Sequence, residues 1–305
     1  MSALYNIIQK EYPNGDIQMK IFKKALIENN NDKIIDNGDI FIIEQRELYY
    51  SDDDRLNEEF CKNYEKKQKK QILNEQLNVE LTEEQKEKIR LNDRLRNDKR
   101  DKQKVYDKAR ANTWHWFATF TFSSDKVDRT NYDECKKKLC KWLNNIKNRY
   151  CPDLKYLCVP ELHEDNISWH FHGLLANVDE LSFVQGINNK KDSVFYGMPL
   201  KDKNGNDVYN LECYNLGYAS FTKVRDTRRV SGYIVKYMTK QISFKLEGKN
   251  RHIASRNLDM PKSKKMFMDN EGLKILKSSI NPKWEQKKEV AKGTMYENEI
   301  HYIEL

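Results

Sequence analysis

The feature that most restricts the fold of this chain is a long span with neither glycine nor proline. Neither residue occurs between Gly38 and Pro152, although both are the strongest markers of turns and chain breaks. Within this span, residues 51–110 contain 17 lysines and arginines and 15 aspartates and glutamates. Because more than half of these residues are ionised, the segment cannot bury a deep core of its own.

Apolar residues are sparse in this charged segment, but they recur at roughly helical spacing. Residues three or four apart share one face of a helix, so we interpret residues 51–112 as a highly charged helical extension that could support a homodimer. A run of mixed charge is usually a solvated face; the alternative is a DNA-binding arm at the basic residues 94–110. The apolar positions are Ile72, Leu73, Leu77, Leu81, Ile89, Leu91 and Leu95.

The composition changes after residue 112, and the pattern beyond it predicts an α+β domain. All five tryptophans lie there, and strand-like segments mix with helical ones, which favours an antiparallel sheet flanked by helices. We assign residues 113–260 to this domain, leave residues 1–50 unassigned and treat residues 261–305 as a C-terminal tail. The predicted elements are strand 114–122, helix 131–149, strands 154–161 and 168–176, helix 179–187, strand 216–224 and helix 228–244.

The overall composition narrows the setting in which the protein works. The chain has a mean hydropathy of −0.93 and no run of about 18 apolar residues, so we expect no membrane-spanning helix. Its first residues lack the features of a signal peptide, and its six cysteines form no CxxC pair. We therefore expect reduced thiols and a cytoplasmic protein. The formal net charge of +8 is compatible with a nucleic-acid partner without requiring one.

Residues 167–176, ISWHFHGLLA, place two histidines two positions apart in a strand-like run. Side chains alternate between the faces of a strand, so His170 and His172 point to one side while Trp169 and Phe171 point to the other. Two neighbouring imidazoles can share a divalent metal ion. The alternative is a pair that only forms hydrogen bonds on a half-exposed sheet.

The segment PELHEDN, residues 160–166, offers a third metal ligand. The residues that follow read as a turn, which would fold strand 154–161 back onto the histidine strand and bring Glu161 or His163 beside the pair. A carboxylate with two histidines suits Mg²⁺ or Mn²⁺ acting as a Lewis acid on a phosphate. We favour Glu161, with His163 as the competing candidate.

Residues 231–240, SGYIVKYMTK, predict a helix with two tyrosines and two lysines on one face. Tyr233, Lys236, Tyr237 and Lys240 stand at i, i+3, i+4 and i+7 and so form one stripe. A nearby cation favours the phenolate form of tyrosine, which is a nucleophile, and two phenols permit two successive transfers. The alternative is an amphipathic helix whose phenols border a core.

Together with the alternating strand WFATFTFSS at residues 116–124, these segments resemble the motifs of the HUH endonuclease superfamily. The resemblance is to the rolling-circle replication initiators of phages and plasmids. FATFTF is similar to the first motif of the family, WHFHG to its histidine motif, and GYIVKYMTK to its two-tyrosine motif with a lysine after each tyrosine. The resemblance covers residues 113–245 and implies a nuclease domain with an RRM-like core sheet.

The resemblance implies that the protein nicks single-stranded DNA at an origin, forms a 5′-phosphotyrosine link with a free 3′-OH, and rejoins strands at termination. Tyr233 and Tyr237 would be the nucleophiles, with Tyr233 first. The supporting lysines would be Lys236 and Lys240, and Mg²⁺ or Mn²⁺ would be held by His170, His172 and either Glu161 or His163. We expect the DNA contacts at Thr119, Thr121, Lys223, Arg225, Arg228 and Arg229.

The chain contains no GxxxxGK[ST] motif, so we expect it to depend on a host helicase and DNA polymerase in the cytoplasm of a bacterial cell. Within the same superfamily, relaxases usually carry their tyrosine ahead of the histidine motif, and transposases are typically much shorter. Outside it, the alternatives are a non-catalytic protein that binds single strands by stacking and charge, and a metallohydrolase that would leave the tyrosines idle.

Overall fold

The computed structural model describes residues 4–27, 83–189, 191, 193–246, 248–290 and 298–305. These residues form two compact units. The first unit combines residues 1–96 with residues 261–305, and the second runs from residue 97 to residue 260. The predicted strand within residues 39–50 and the charged residues 51–82 lie outside the described parts of the chain.

Strands and helices alternate along the described chain, and all strand pairs are antiparallel. The helices are α1 (Glu83–Arg110), α2 (Tyr132–Arg149), α3 (Thr227–Lys236), α4 (Lys240–Lys245) and α5 (Asn270–Ser279). The strands are β1 (Leu4–Glu11), β2 (Ile17–Ile27), β3 (Trp116–Phe122), β4 (Lys155–Leu162), β5 (Trp169–Ala176), β6 (Phe183–Gln185), β7 (Tyr209–Leu211), β8 (Gly217–Lys223), β9 (Ile253–Ala254), β10 (Lys262–Met266), β11 (Trp284–Val290) and β12 (Asn298–Glu304).

The second unit is built on a seven-stranded sheet in the order β6-β7-β8-β3-β5-β4-β9. Helix α2 packs on one face, where Leu139 and Leu143 join a buried cluster with Phe120 and Phe171. Each fully buried side chain of this kind stabilises the fold by roughly 1.5–3 kcal/mol relative to an exposed one. Asn131 starts α2 by accepting hydrogen bonds from the first-turn amides, as an N-cap residue does.

The opposite face of this sheet is covered only in part. Val105 and Ala109, in the part of α1 that belongs to this unit, pack with Ile234 and Met238 against the sheet. The sheet therefore lies between two helical layers, and the α+β class with an antiparallel sheet flanked by helices is confirmed.

Most of the elements predicted for this unit are present to within two residues at each end. The predicted helix 179–187 is wrong, because this segment ends in the short strand β6. Phe183 stacks on Trp116 with ring centroids 4.2 Å apart, and β6 pairs with β7. The partner strand begins more than twenty residues later, so the local pattern gave no sign of this pairing.

The predicted helix 228–244 is interrupted. Helix α3 ends at Lys236, Tyr237 is its C-cap, and Thr239 starts α4 as an N-cap whose side chain accepts from the amide of Ile242. A capping threonine competes with helix continuation because its side chain supplies the hydrogen bond that the next helix start requires. Lys240 therefore begins a new helix and does not continue the stripe of α3.

The first unit holds a five-stranded sheet in the order β10-β1-β2-β12-β11. Helix α5 packs on this sheet through Leu273, which joins a cluster with Ile7, Ile21 and Ile303. The short helix considered for residues 21–28 is part of β2 instead. Residues 1–50 and the C-terminal residues, separate in the sequence analysis, thus contribute strands to one sheet, and β12 lies between β2 and β11.

The charged extension is helical in its described part, where α1 runs for 28 residues. Its first turn is acidic and its last turn basic, which complements the helix dipole. Of the helices in the described part of the chain, none combines the length and apolar character needed to cross a bilayer.

Candidate active site

A tight hairpin between β4 and β5 brings the predicted metal ligands together. Asp165 holds the turn, because its carboxylate accepts hydrogen bonds from the amides of Ile167 and Ser168 and from the Ser168 hydroxyl. Asn166 adopts a positive φ of 57°, a conformation that asparagine tolerates better than most residues. The resulting register places Glu161 directly opposite the first histidine of the pair.

The register of four neighbouring strands arranges the residues on this sheet face in three rows. Directly opposite residues of antiparallel strands share a face. The outer row is Glu161, His170, Thr121 and Tyr218; the middle row is Val159, His172, Thr119 and Ser220; the inner row is Leu157, Leu174, Phe117 and Thr222. The inner row packs under α1 and α3, whereas the outer row ends in an exposed tyrosine.

Three potential metal ligands converge where the outer and middle rows meet. The Oε2 atom of Glu161 lies 2.8 Å from Nε2 of His170 and 2.6 Å from Nε2 of His172. The two histidine Nε2 atoms are 3.1 Å apart. Among the described residues, this is the cluster of histidine, cysteine and acidic side chains whose ligand atoms could hold a metal ion.

The electrostatics of this cluster favour an ionised carboxylate beside a neutral histidine. Burial alone raises the pKa of Glu161, but hydrogen bonds to His170 and His172 outweigh it and hold the pKa at about 2. Burial lowers the pKa of His172 below its usual value, although its hydrogen bond to Glu161 acts in the opposite direction. An ionised carboxylate and an unprotonated imidazole are the forms that bind a metal.

The second nitrogen of His172 is held from the neighbouring strand. Nδ1 of His172 lies 3.1 Å from the hydroxyl of Thr119, and Phe117 stacks on the imidazole with centroids 5.7 Å apart. A hydrogen bond to the second nitrogen fixes the ring orientation and the tautomer of a ligand histidine. Thr119, predicted as a DNA contact, thus has its hydroxyl on the histidine.

The cluster fits a divalent ion by its donor types and by its spacing. Bonds of about 2.0–2.2 Å from one ion to ligands at right angles separate the ligand atoms by about 3 Å. The separation of the two histidine Nε2 atoms, 3.1 Å, agrees with this value. Glu161, His170 and His172 would hold the ion.

The two tyrosines of α3 and its C-cap meet this cluster from the helical side. The Tyr237 ring stacks on His172 with centroids 3.6 Å apart, and its hydroxyl donates to the Tyr233 hydroxyl at 2.6 Å. Tyr233 is 45% exposed, while Tyr237 is half-buried. Burial raises the pKa of Tyr237, and the hydrogen bond to Tyr233 acts in the same direction. Tyr233 is therefore the more accessible phenol.

The two lysines of the predicted stripe differ in position. The ammonium of Lys236 lies 5.8 Å from the ring centroid of Tyr233, so a cation accompanies the exposed phenol. Lys240 is the first residue of α4, and its side chain lies outside the described parts of the structure.

The remaining predicted residues are distributed around the cluster. His163 is exposed in the turn, with its ring centroid 5.7 Å from that of His170, and it is not among the three converging ligands. Thr121 is half-buried between His170 and Tyr218 in the outer row. The structure does not bring Lys223 to this face, because Lys223 lies over the rings of Trp116 and Tyr209 on the α2 side of the sheet.

The predicted basic residues at the start of α3 remain near its N-terminus. Arg225 and Arg229 are exposed, and Arg228 is half-buried. Arg229 forms an ion pair with the N-cap residue Asp226, with Nε and Oδ2 3.4 Å apart. An exposed pair of this kind adds little stability, so these arginines are compatible with a role in binding.

One residue of the cluster was missed in the sequence analysis. Phe117 contacts both tyrosine rings, with centroids 5.3 Å from Tyr233 and 6.1 Å from Tyr237. Its ring also stacks on His172. The period-two alternation of β3 places Phe117 on the same face as Thr119 and so could have revealed it.

The comparison with known families bears on this part of the chain. Residues 115–242 match the family model of the replication-associated protein ORF2, which is about two fifths of the 305 residues. The match includes the histidine pair, Glu161 and both tyrosines. No curated protein and no solved structure matches the chain. The family match supports a replication initiator of the Rep type.

Proposed function

We propose that this protein is a metal-dependent DNA endonuclease and strand transferase that starts rolling-circle replication. It would nick single-stranded DNA at an origin, remain joined to the DNA by a phosphotyrosine link, and rejoin strands at termination. The observation that carries this proposal is the contact between the tyrosine pair and the metal-type cluster. The Tyr237 ring lies 3.6 Å from His172 and its hydroxyl is hydrogen-bonded to Tyr233.

The proposed chemistry is a transesterification at phosphorus. The phenolate oxygen of Tyr233 attacks the phosphodiester, and the bond between phosphorus and the 3′ oxygen breaks. That oxygen leaves with the bonding electrons and takes a proton to become the free 3′-OH, while the phenol proton passes to solvent. The 5′ phosphate stays on the tyrosine, and attack by a 3′-OH in the reverse direction restores a phosphodiester.

Each residue of the site has a role in this reaction. Tyr233 is the first nucleophile because it is exposed, accepts the hydrogen bond from Tyr237 and has the Lys236 ammonium nearby. Tyr237 is available for a second transfer. Glu161, His170 and His172 would hold Mg²⁺ or Mn²⁺, which supplies Lewis-acid polarisation of the phosphate.

The wider setting follows from the same proposal. The free 3′-OH would be extended by a host DNA polymerase behind a host helicase in the bacterial cytoplasm, and residues 51–112 could form a homodimer. Arg225, Arg228 and Arg229 would contact the DNA backbone, which positions the strand without reading its sequence.

The test is to incubate the protein with end-labelled single-stranded DNA and Mn²⁺ and to analyse the products by denaturing gel electrophoresis. We expect a band of protein joined to DNA that resists heat and SDS and disappears with EDTA. Tyr233→Phe should abolish the first adduct, and His170→Ala should remove cleavage. Tyr237→Phe should keep single cleavage and lose the second transfer.

Tyr150→Phe is the matched control, because Tyr150 is 51% exposed at the end of α2, on the other side of the sheet. Cleavage without a covalent band would favour the metallohydrolase. Binding with neither cleavage nor adduct would leave a non-catalytic single-strand-binding protein and refute the proposal.

A further inference from the structure

An exposed aromatic ring lies at the open end of the outer row. Tyr218 of β8 is directly opposite Thr121 of β3, which is opposite His170 of β5. Neighbouring strands lie about 4.8 Å apart, so the backbone of Tyr218 is about 10 Å from that of His170. The ring therefore stands on the same sheet face as the metal-type cluster, two strands away.

The surroundings of Tyr218 leave its ring available. The residue is 51% exposed, whereas its strand neighbours Ala219 and Phe221 face the buried side. The other aromatic rings on this face, Phe117, Tyr233 and Tyr237, contact each other. Within the described residues, Tyr218 has no ring contact and no hydrogen bond through its side chain, so packing does not account for this aromatic residue.

The residues around Tyr218 on this face are small and polar. Thr121 lies beside it in the outer row, and Ser220 follows on the same face of β8. A flat ring among small hydroxyl side chains suits a flat, polar-edged partner better than an apolar protein surface. Nucleobases in a single strand have exposed faces that stack on aromatic side chains, with little dependence on which base is present.

We propose that Tyr218 is a stacking platform for a base of the single strand that flanks the scissile phosphate. This inference rests on the proposed function, because it takes the outer row as the place where the strand passes. Tyr218 would act as a binding residue and not as a nucleophile. Stacking would hold the strand in register beside His170 while leaving the choice of sequence to other contacts. A paired base in a duplex has both faces covered, so we expect the effect on single strands only.

The test measures binding separately from cleavage. A fluorescein-labelled single-stranded oligonucleotide of mixed sequence is titrated with the full chain in EDTA, and the Kd is read from fluorescence anisotropy at several salt concentrations. Loss of one stacked base by Tyr218→Ala should weaken binding roughly 5- to 150-fold. Tyr218→Phe and Tyr218→Trp should stay within about twofold of the wild type, because both keep the ring.

The salt dependence separates stacking from phosphate contacts. The slope of log Kd against log salt reports the number of phosphates neutralised, so Tyr218→Ala should leave this slope unchanged. Tyr218→Val keeps a strand-favouring residue and gives the same comparison if the alanine variant is poorly folded. Tyr150→Ala, which removes an equally exposed tyrosine from the end of α2, should bind like the wild type.

The outcomes distinguish this inference from the proposed function. If the wild type forms the covalent adduct and both Tyr218→Ala and Tyr218→Val bind like it, the stacking role is refuted while the nuclease stands. If Tyr218→Phe loses as much affinity as Tyr218→Ala, the hydroxyl and not the ring makes the contact, and the inference is wrong. If the wild type neither binds single strands nor forms an adduct, both proposals fail.

Discussion

At the scale of single residues, the candidate site depends on side chains that hold other side chains in place. The clearest example is the Thr119 hydroxyl, 3.1 Å from Nδ1 of His172. With Nδ1 directed at Thr119, the Nε2 atom faces Glu161 and His170. A ligand histidine needs this second contact, because a freely rotating ring loses part of its binding energy to ordering.

We therefore predict that Thr119→Val weakens metal binding without unfolding the protein. Valine keeps the shape and the strand preference of threonine but removes the hydroxyl, and loss of such a contact typically costs about 10- to 100-fold in metal affinity. Isothermal titration calorimetry with Mn²⁺ in the absence of DNA would measure the change. Thr121→Val is the control, because the Thr121 hydroxyl bonds neither histidine in the described structure. Equal affinity of both variants and the wild type would contradict the prediction.

Glycine has opposite roles at two positions of the motifs. A Cβ atom on Gly173 would lie 2.9 Å from Sγ of Cys158 and 3.1 Å from the Phe120 ring, whereas one on Gly232 would meet nothing within 4 Å. We predict that Gly173→Ala lowers the free energy of unfolding by about 1–3 kcal/mol through overpacking. Gly232→Ala, in an exposed position of α3, should raise it by about 0.5–1 kcal/mol.

Urea denaturation of the two glycine variants beside the wild type would test this pair. The decisive result is the opposite sign of the two changes at an unchanged denaturant slope. A neutral Gly173→Ala would show that the contact region around Cys158 relaxes more easily than its full burial indicates.

At the scale of elements, the position of the tyrosines depends on where one short helix begins and ends. Helix α3 has 10 residues, too short to be stable by itself, so its caps and its packing through Ile234 must hold it. Asp226 is the N-cap and accepts from the amide of Arg229. The helix ends at Tyr237, so both phenols lie within its last turn or at its cap.

We predict that Asp226→Ala frays the start of α3 and lowers the free energy of unfolding by about 1 kcal/mol. Hydrogen exchange of the α3 amides should become faster, beginning at Arg229, because its amide loses its acceptor. Asp226→Asn should behave like the wild type, since asparagine caps about as well as aspartate. Unchanged exchange in the alanine variant would mean that packing alone holds the helix.

At the scale of the whole molecule, the two compact units reach their stability by different chain connections. The first unit pairs strands from opposite ends of the sequence. The second is nearly continuous and includes a buried contact between α1 and the segment before β9. There, the Lys108 ammonium lies 3.1 Å from Nε2 of His252, so the histidine must be neutral to accept the hydrogen bond.

This contact predicts a loss of stability in mild acid. Burial, followed by the charge of Lys108, lowers the pKa of His252 to about 4; Lys104 and Lys136 act in the same direction, and Asp101 opposes them. Between about pH 6.5 and pH 4 the unfolded chain binds a proton that the folded chain excludes. The free energy of unfolding should therefore be fully present above pH 6.5 and fall as the pH is lowered towards 4, by up to about 3 kcal/mol.

Because carboxylates also titrate in acid, the measurement is a difference between two profiles. Urea denaturation from pH 7.5 to pH 4 should show a flatter dependence for His252→Gln than for the wild type, since glutamine can accept from Lys108 without titrating. Parallel profiles would show that His252 does not contribute to the acid sensitivity.

Local patterns in the sequence determined much of the candidate site. Period-two alternation placed His170 and His172 on one face, and the turn around Asp165 brought Glu161 to them. Helical spacing predicted that Tyr233 and Tyr237 would be neighbours. These features are legible because each depends on residues close together in the chain, whose geometry is set by backbone period and turn chemistry.

Only the tertiary structure decided the contacts that depend on strand order and packing. The stacking of Tyr237 on His172, the hydrogen bond of Thr119 to His172 and the place of Tyr218 in the outer row require β8, β3 and β5 to be neighbours. The five-stranded sheet likewise joins segments more than 200 residues apart. No local pattern encodes such pairings, because the energy that selects them comes from burying surfaces that meet only in the folded chain.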